Sequence, residues 1–211
     1  MSETLMLLLI LLDLALLGIS LVNTGILIVG LQGLLLGALV ISANAPMLSL
    51  RLVIIACAGI CIKGLLFPVL LKRAIKEAGI QREMKPLVGA SLSLLTGIAM
   101  LAAALWLGAK LPLSGIPTAP FTVPAAFMTM FTGLFLAVAR KKALTQCIGY
   151  IVFENGIYAF GIAAAGEIPL LVELGLLLDA FVAVFVMGIA IYRINYEFDH
   201  MDATELNSLK G

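Results

Sequence analysis

Charge is what this sequence has least of. Only 12% of its 211 residues are Asp, Glu, Lys or Arg, against roughly 25% in soluble domains. A chain this poor in charge cannot cover a globular surface with polar groups, which excludes a soluble domain of any size. The formal net charge of +1 and an isoelectric point near 7.7 argue against nucleic acid as a partner. The single histidine, His200, lies in a polar tail with no second ligand type near it, so a metal role is not expected there. Three cysteines are present: Cys57 and Cys61 stand one helical turn apart inside an apolar run, and Cys147 stands alone. Zinc and iron–sulfur sites need thiolates at loop spacings such as C-x-x-C, usually four in number. The cysteines therefore read as small packed helix residues, and redox centres are expected in other chains. One tryptophan and 7% aromatic residues leave no evident substrate cavity.

What is abundant is apolar. Hydrophobic residues make up 63% of the chain, with a mean hydropathy of +1.18. A helix crossing a hydrocarbon core of ~30 Å needs about 20 apolar residues. Seven segments qualify: 4–22, 25–43, 50–71, 87–107, 121–139, 145–165 and 170–192. Lipid offers no partner to free backbone groups, so only helices or a closed barrel can span it. These runs are continuous and lack the alternation of barrel strands, which predicts an all-α, polytopic protein. The start, MSETLMLLLILLD, has no basic region ahead of its apolar run, so no cleavable leader is expected. Asn23, the Asn44–Ala45–Pro46 break, the prolines at 112, 117 and 120, and Ile168–Pro169 punctuate the spans.

Lys and Arg set the orientation. The third loop holds Lys72, Arg73, Lys76, Arg82 and Lys85, the fifth Arg140, Lys141 and Lys142, and the tail Arg193 and Lys210, whereas the opposite side has only Arg51 and Lys110. This predicts an outside N-terminus and a cytoplasmic C-terminus. Trp106, at the end of the fourth span, reads as an interfacial anchor. Gly30, Gly33 and Gly37 on the second span, and Gly156 and Gly161 on the sixth, read as close-packing positions.

Four charged groups fall inside the spans: Asp13, Lys63, Glu154 and Asp179. At ~1.5 Å per residue each lies roughly 12–20 Å from its helix end, near mid-membrane. A charge there costs about 2.5–3.5 kcal/mol on insertion scales and is tolerated when it faces the bundle interior, pairs or meets water. Asp13 and Lys63 fit a structural ion pair between the first and third spans, and Glu154 and Asp179 could each simply bond a neighbouring helix. The functional alternative is a proton relay, since a desolvated carboxyl can take and give a proton near neutral pH. Glu154 and Asp179 are its principal candidates, facing each other across the sixth and seventh helices. Glu173, Lys63 and Asp13 are secondary ones.

The last three spans carry a resemblance. FTGLFLAVARKKALTQCIGYIVFENGIYAFG followed by LLLDAFVAVFVMGIAIYRIN resembles the three-helix K subunit of complex I and the C subunit of Mrp antiporters. The matching features are the basic turn Arg140–Lys142, the Ile148–Gly149–Tyr150 pattern and the third-helix acid Asp179. The whole chain, with its YRINYEFDHMDATELNSLKG tail, resembles the hydrogenase-4 component E family, K-like membrane subunits of group 4 [NiFe] hydrogenases and formate hydrogenlyase-type complexes. Two departures stand out. With Ile148–Gly149 in register the complex I glutamate falls at Ile151, three residues before Glu154, and Asp179 is shorter by one methylene than the glutamate it replaces. Within the chain, Ile28–Ala38 parallels the stretch from Ile148, with Gly30 matching Gly149, so the first three spans read as a degenerate parallel copy of the last three.

The chain thus divides into an N-terminal part of four spans (1–108), a loop (109–120) and a K-like module with a cytoplasmic tail (121–211). The resemblance implies a non-catalytic, multi-pass subunit in a bacterial inner membrane that lends carboxylates to a proton or cation path. It also implies antiporter-like membrane subunits and peripheral hydrogenase subunits as partners, with nickel–iron and iron–sulfur centres held there and no cofactor in this chain. Alternatives left open are a subunit of a cation/proton antiporter, a self-contained secondary transporter, and a structural spacer.

Overall fold

In a computed structural model the described residues are 2–19, 21–43, 50–77, 89–111, 121–140 and 143–164. The expected seventh span at 170–192 and the polar tail expected in the cytoplasm, and with them Glu173 and Asp179, lie outside the described residues. What is described is all-helical: α1 (Ser2–Gly18), α2 (Val22–Ala43), α3 (Leu50–Gly59), a π-helical segment (Ile60–Leu66), α4 (Phe67–Glu77), α5 (Ala90–Lys110), α6 (Thr122–Ala139) and α7 (Ala143–Ala164).

The predicted spans and the helices differ mainly at their ends. Asn23 lies in the first turn of α2 rather than in the preceding turn, and the helix break falls after Gly18. α5 ends at Lys110, with Leu111 extended ahead of Pro112, as expected for a residue before proline. The third span continues beyond Leu71 to Glu77, carrying Lys72, Arg73 and Lys76 on an exposed helical surface instead of in a loop.

The π-helical segment has a local cause. In a regular α-helix the ring of Pro68 would strike the carbonyl of Gly64 and leave it without a donor. Widening the turn avoids this: the Phe67 N–H bonds to the carbonyl of Ile62, five residues back. Such insertions occur often at functional sites, and here the segment centres on Lys63, the buried residue within it.

Glycines bring the segment close to α2. A Cβ on Gly33 would lie 2.7 Å from the carbonyl carbon of Lys63 and 2.9 Å from the Gly64 nitrogen, a space no side chain can share. Gly30 and Gly37 make similar approaches to Pro68 and Ile60. Close packing of this kind holds membrane helices together where lipid removes the hydrophobic drive. The same device joins α6 and α7, the most extensively packed pair, where Gly133, Gly149 and Gly156 leave room for backbone. Gly30 and Gly149, aligned in the internal-repeat register, thus meet different partners: Gly30 meets Gly64 and Pro68, Gly149 meets Gly133 and Ala137.

α6 is central, flanked by α1, α5 and α7, while α2 bridges α1, α7 and the α3–π–α4 run. The core is apolar, built from residues such as Leu16, Ile26, Leu36, Phe67, Met128 and Ile148. The outside is apolar too, with Leu11, Leu27, Leu65, Leu95, Ile98 and Val138 all more than half exposed. So much exposed apolar surface suits lipid rather than water. Three helices, spanning Val22–Ser42, Ser91–Lys110 and Thr122–Ala139, are long and apolar enough to cross a membrane.

Candidate functional site

Inside this apolar bundle runs one connected chain of polar side chains. Lys63 Nζ lies 2.6 Å from Glu154 Oε1 and 3.5 Å from Asn155 Oδ1. The Asn155 amide nitrogen donates to Gln32 Oε1 at 3.5 Å, and the Gln32 amide nitrogen donates to Asp13 Oδ1 at 2.8 Å. The far carboxylate oxygen, Asp13 Oδ2, lies 2.7 Å from the Thr129 hydroxyl. Five elements contribute: α1, α2, the π segment, α6 and α7. None of the six residues is more than 3% exposed.

Each member is placed by the packing already described. The glycine face of α2 lets the π segment approach and turns Lys63 inward. The tight α6–α7 contact brings Glu154 and Asn155 to the same interior. Tyr158, one turn beyond Glu154, puts its ring centroid 5.5 Å from Lys63 Nζ, close enough for a cation–π contact.

The pairing differs from the sequence expectation in one respect. Lys63 meets Glu154, and Asp13 is linked to it through Gln32 and Asn155 instead of as a direct ion pair. The reason is the side from which each helix enters: α1 packs on α2, α5 and α6, whereas the π segment packs on α2. Gln32 of α2 therefore stands between the two charges. Of the five candidate acids and bases, the structure joins Asp13, Lys63 and Glu154 in one network, while Glu173 and Asp179 are outside the described residues.

Thr129, Gln32 and Asn155 were not singled out as functional from sequence. The signal for two of them was present. Gln32 and Asn155 are amides deep within apolar spans, and a buried amide needs partners. Threonine is common in membrane helices, where it can bond its own backbone, so Thr129 carried no signal.

Cys57 and Cys61 are exposed on the bundle surface, contrary to the expectation of packed residues, while Cys147 is buried. Among the described residues no group of three or more His, Cys, Asp or Glu side chains converges as a metal site. Trp106 is exposed near the end of α5, with Lys110 Nζ 4.5 Å above its ring.

Chemically, the network has two halves. One is the buried Lys63–Glu154 ion pair. The other is a carboxyl group held by an amide and a hydroxyl. Asn155 and Gln32 join them as dipoles: an amide transmits polarisation along such a chain, but it does not pass a proton readily.

These features define an all-helical membrane protein with a polar, partly charged core. Over 162 residues the chain is 34% identical to an uncharacterized protein of Mycobacterium tuberculosis, Rv0085, the match covering 75% of this chain and 73% of that protein. The chain belongs to the family of Rv0085. It is also 29% identical over 183 residues to hydrogenase-4 component E of Escherichia coli, covering 85% of this chain and 83% of that protein, and equally to hydrogenase-4 component E of Shigella flexneri. No protein-family model matches the chain. No solved structure matches it.

Proposed function

We propose that the chain is a membrane-arm subunit of a hydrogenase-type complex, multi-pass in a bacterial inner membrane, whose buried carboxylates form part of a proton or cation path. Electron transfer in a peripheral arm drives that path, and the nickel–iron and iron–sulfur centres belong to partner subunits. Antiporter-like membrane subunits are its neighbours in the arm. The likeness to hydrogenase-4 component E supports membership of such a complex.

The observation that carries the reading is the buried set of six hydrogen-bonded polar side chains, from Glu154 to Thr129, drawn from five helical elements. Six polar side chains in a membrane interior are costly, and such residues mark ion pathways and proton relays. Glu154 and Asp179 are the principal relay residues in this proposal, with Glu173, Lys63 and Asp13 in support. The 2.6 Å Lys63–Glu154 contact favours a second reading, in which the charges serve only to lock the helices of a spacer subunit.

One experiment separates the two. The intact complex carrying both Glu154→Gln and Asp179→Asn is reconstituted in liposomes, and proton movement is measured alongside hydrogenase activity. The expected result is loss of coupled proton movement with redox activity largely retained. Unchanged proton movement favours the spacer.

A further inference from the structure

We infer that Asp13 is, at rest, a neutral, proton-carrying acid of the buried network, held by Thr129 and Gln32, beside the Lys63–Glu154 ion pair. For its place in ion movement this rests on the proposed function; for the state of Asp13 it rests on geometry alone.

The first argument is charge. The partners of Asp13 are the Gln32 amide and the Thr129 hydroxyl, both uncharged. Among the described residues, the helices packed most closely on α1 offer little else: α2 and α6 carry no ionisable residue, and α5 has only Lys110, at its exposed end. The charged groups further along the network, Lys63 and Glu154, are paired with each other and touch Asp13 only through the Asn155 and Gln32 amides. An ionised Asp13 would therefore be a buried charge held only by uncharged hydrogen-bond partners, which burial penalises heavily. A protonated Asp13 avoids that cost.

The second argument is the count of hydrogens. The Thr129 hydroxyl oxygen lies 2.7 Å from Asp13 Oδ2 and 2.9 Å from the Ala125 carbonyl oxygen. Both neighbours are acceptors when Asp13 is ionised, and a hydroxyl has one hydrogen to give. One of the two contacts would then be oxygen against oxygen with no proton between. When Asp13 carries the proton, its O–H donates to Thr129 and the Thr129 O–H donates to Ala125, so both contacts are hydrogen bonds. The Gln32 amide nitrogen meanwhile donates to the carbonyl oxygen, Oδ1.

The arrangement also tolerates loss of that proton. If it passes to solvent water, the Thr129 hydroxyl turns from Ala125 to Asp13 Oδ2, and the Ala125 carbonyl keeps its helical position. Thr129 is thus a positioning residue that can serve both protonation states of Asp13 by rotation about one bond. Gln32 and Asn155 carry the change in charge to Lys63 and Glu154 as a dipole response, not as a moving proton.

The test is infrared difference spectroscopy of the full chain in lipid nanodiscs, following the carbonyl stretch of protonated carboxyls across a pH titration. Asp13→Asn is expected to remove one carboxyl's intensity at neutral pH. Thr129→Val is expected to keep that intensity and shift its frequency, because the carboxyl hydrogen loses its acceptor. Asp13→Asn should also leave the melting temperature nearly unchanged, since an amide can replace a neutral acid. An unchanged band in Asp13→Asn would overturn the assignment, as would a melting temperature lowered as far as it is by Glu154→Gln. Loss of the band when sodium is added at constant pH would also overturn it, by showing that the carboxyl takes a metal cation instead. If the band behaves as expected while Asp13→Asn leaves proton movement by the complex intact, the assignment stands and its place in the path fails.

Discussion

Lys63 Nζ and Glu154 Oε1 lie 2.6 Å apart although the two residues are 91 positions apart in sequence, and both side chains are buried. The pair ties the π segment of the third span to α7 in the middle of the bundle. Removing either partner of a buried pair costs about 3–5 kcal/mol, because the other charge is left alone, while replacing both with apolar groups is often neutral. Lys63→Met and Glu154→Leu are therefore each expected to destabilise the protein by about that much, and the double variant by far less than their sum. Denaturation of the three variants in detergent checks this. Additive losses would show that the two residues are not energetically coupled.

Gly33 is predicted to be intolerant of any side chain. A methyl group there meets the backbone of Lys63 and Gly64 below 3 Å, and backbone cannot yield as a flexible side chain can. Gly33→Ala should cost about 1–3 kcal/mol, the usual penalty for overpacking, and should disturb Lys63 by pushing the π segment outward. Gly59, one residue before that segment, has open space around it. Gly59→Ala should be neutral or gain up to about 1 kcal/mol from helix propensity. Size-exclusion profiles and melting temperatures of the two variants should separate clearly.

Gln32 is the hinge between the two halves of the network. Gln32→Leu keeps its bulk but removes the donor to Asp13 and the acceptor of Asn155. Leaving such buried groups unsatisfied costs about 1–3 kcal/mol. Gln32→Glu keeps the acceptor and adds a second acid beside Asp13, so its stability should rise as pH falls and the new carboxyl protonates. Melting curves of the two variants at acid and neutral pH check both expectations.

The orientation is open to direct labelling. Lys76 and Lys110 are both exposed, at the ends of α4 and α5. With the other cysteines replaced, Lys76→Cys should react with a membrane-impermeant thiol reagent from the cytoplasmic side, and Lys110→Cys from the opposite side. Labelling of both from one side would contradict the orientation read from the Lys and Arg distribution.

Much of this architecture is legible in the sequence because apolar run length translates directly into helices when a membrane is the solvent. Six of the predicted segments coincide with described helices or, for the third, with a helix–π–helix run, and their ends shift by a few residues. The shifts arise where polar residues such as Asn23 or Lys76 continue a helix past the apolar stretch. Asp13, Lys63 and Glu154 stood out for the same reason the helices did: a charge in an apolar run is unmistakable. The close-packing role of Gly30, Gly33, Gly37 and Gly156 was also legible, since small residues recur where helices approach.

What the sequence determined by itself is composition along each helix: where the chain is apolar, where it is not, and which polar groups must find partners. Who those partners are was decided by tertiary structure. Helix rotation, the widened turn imposed by Pro68 and the glycine contacts that set helix distance together bring Lys63 to Glu154 and place Gln32 between Lys63 and Asp13. Those quantities depend on packing between segments up to 123 residues apart, and no local pattern encodes them. The physical reason is that a buried charge states only that it needs compensation; the geometry of the assembled bundle chooses which group supplies it.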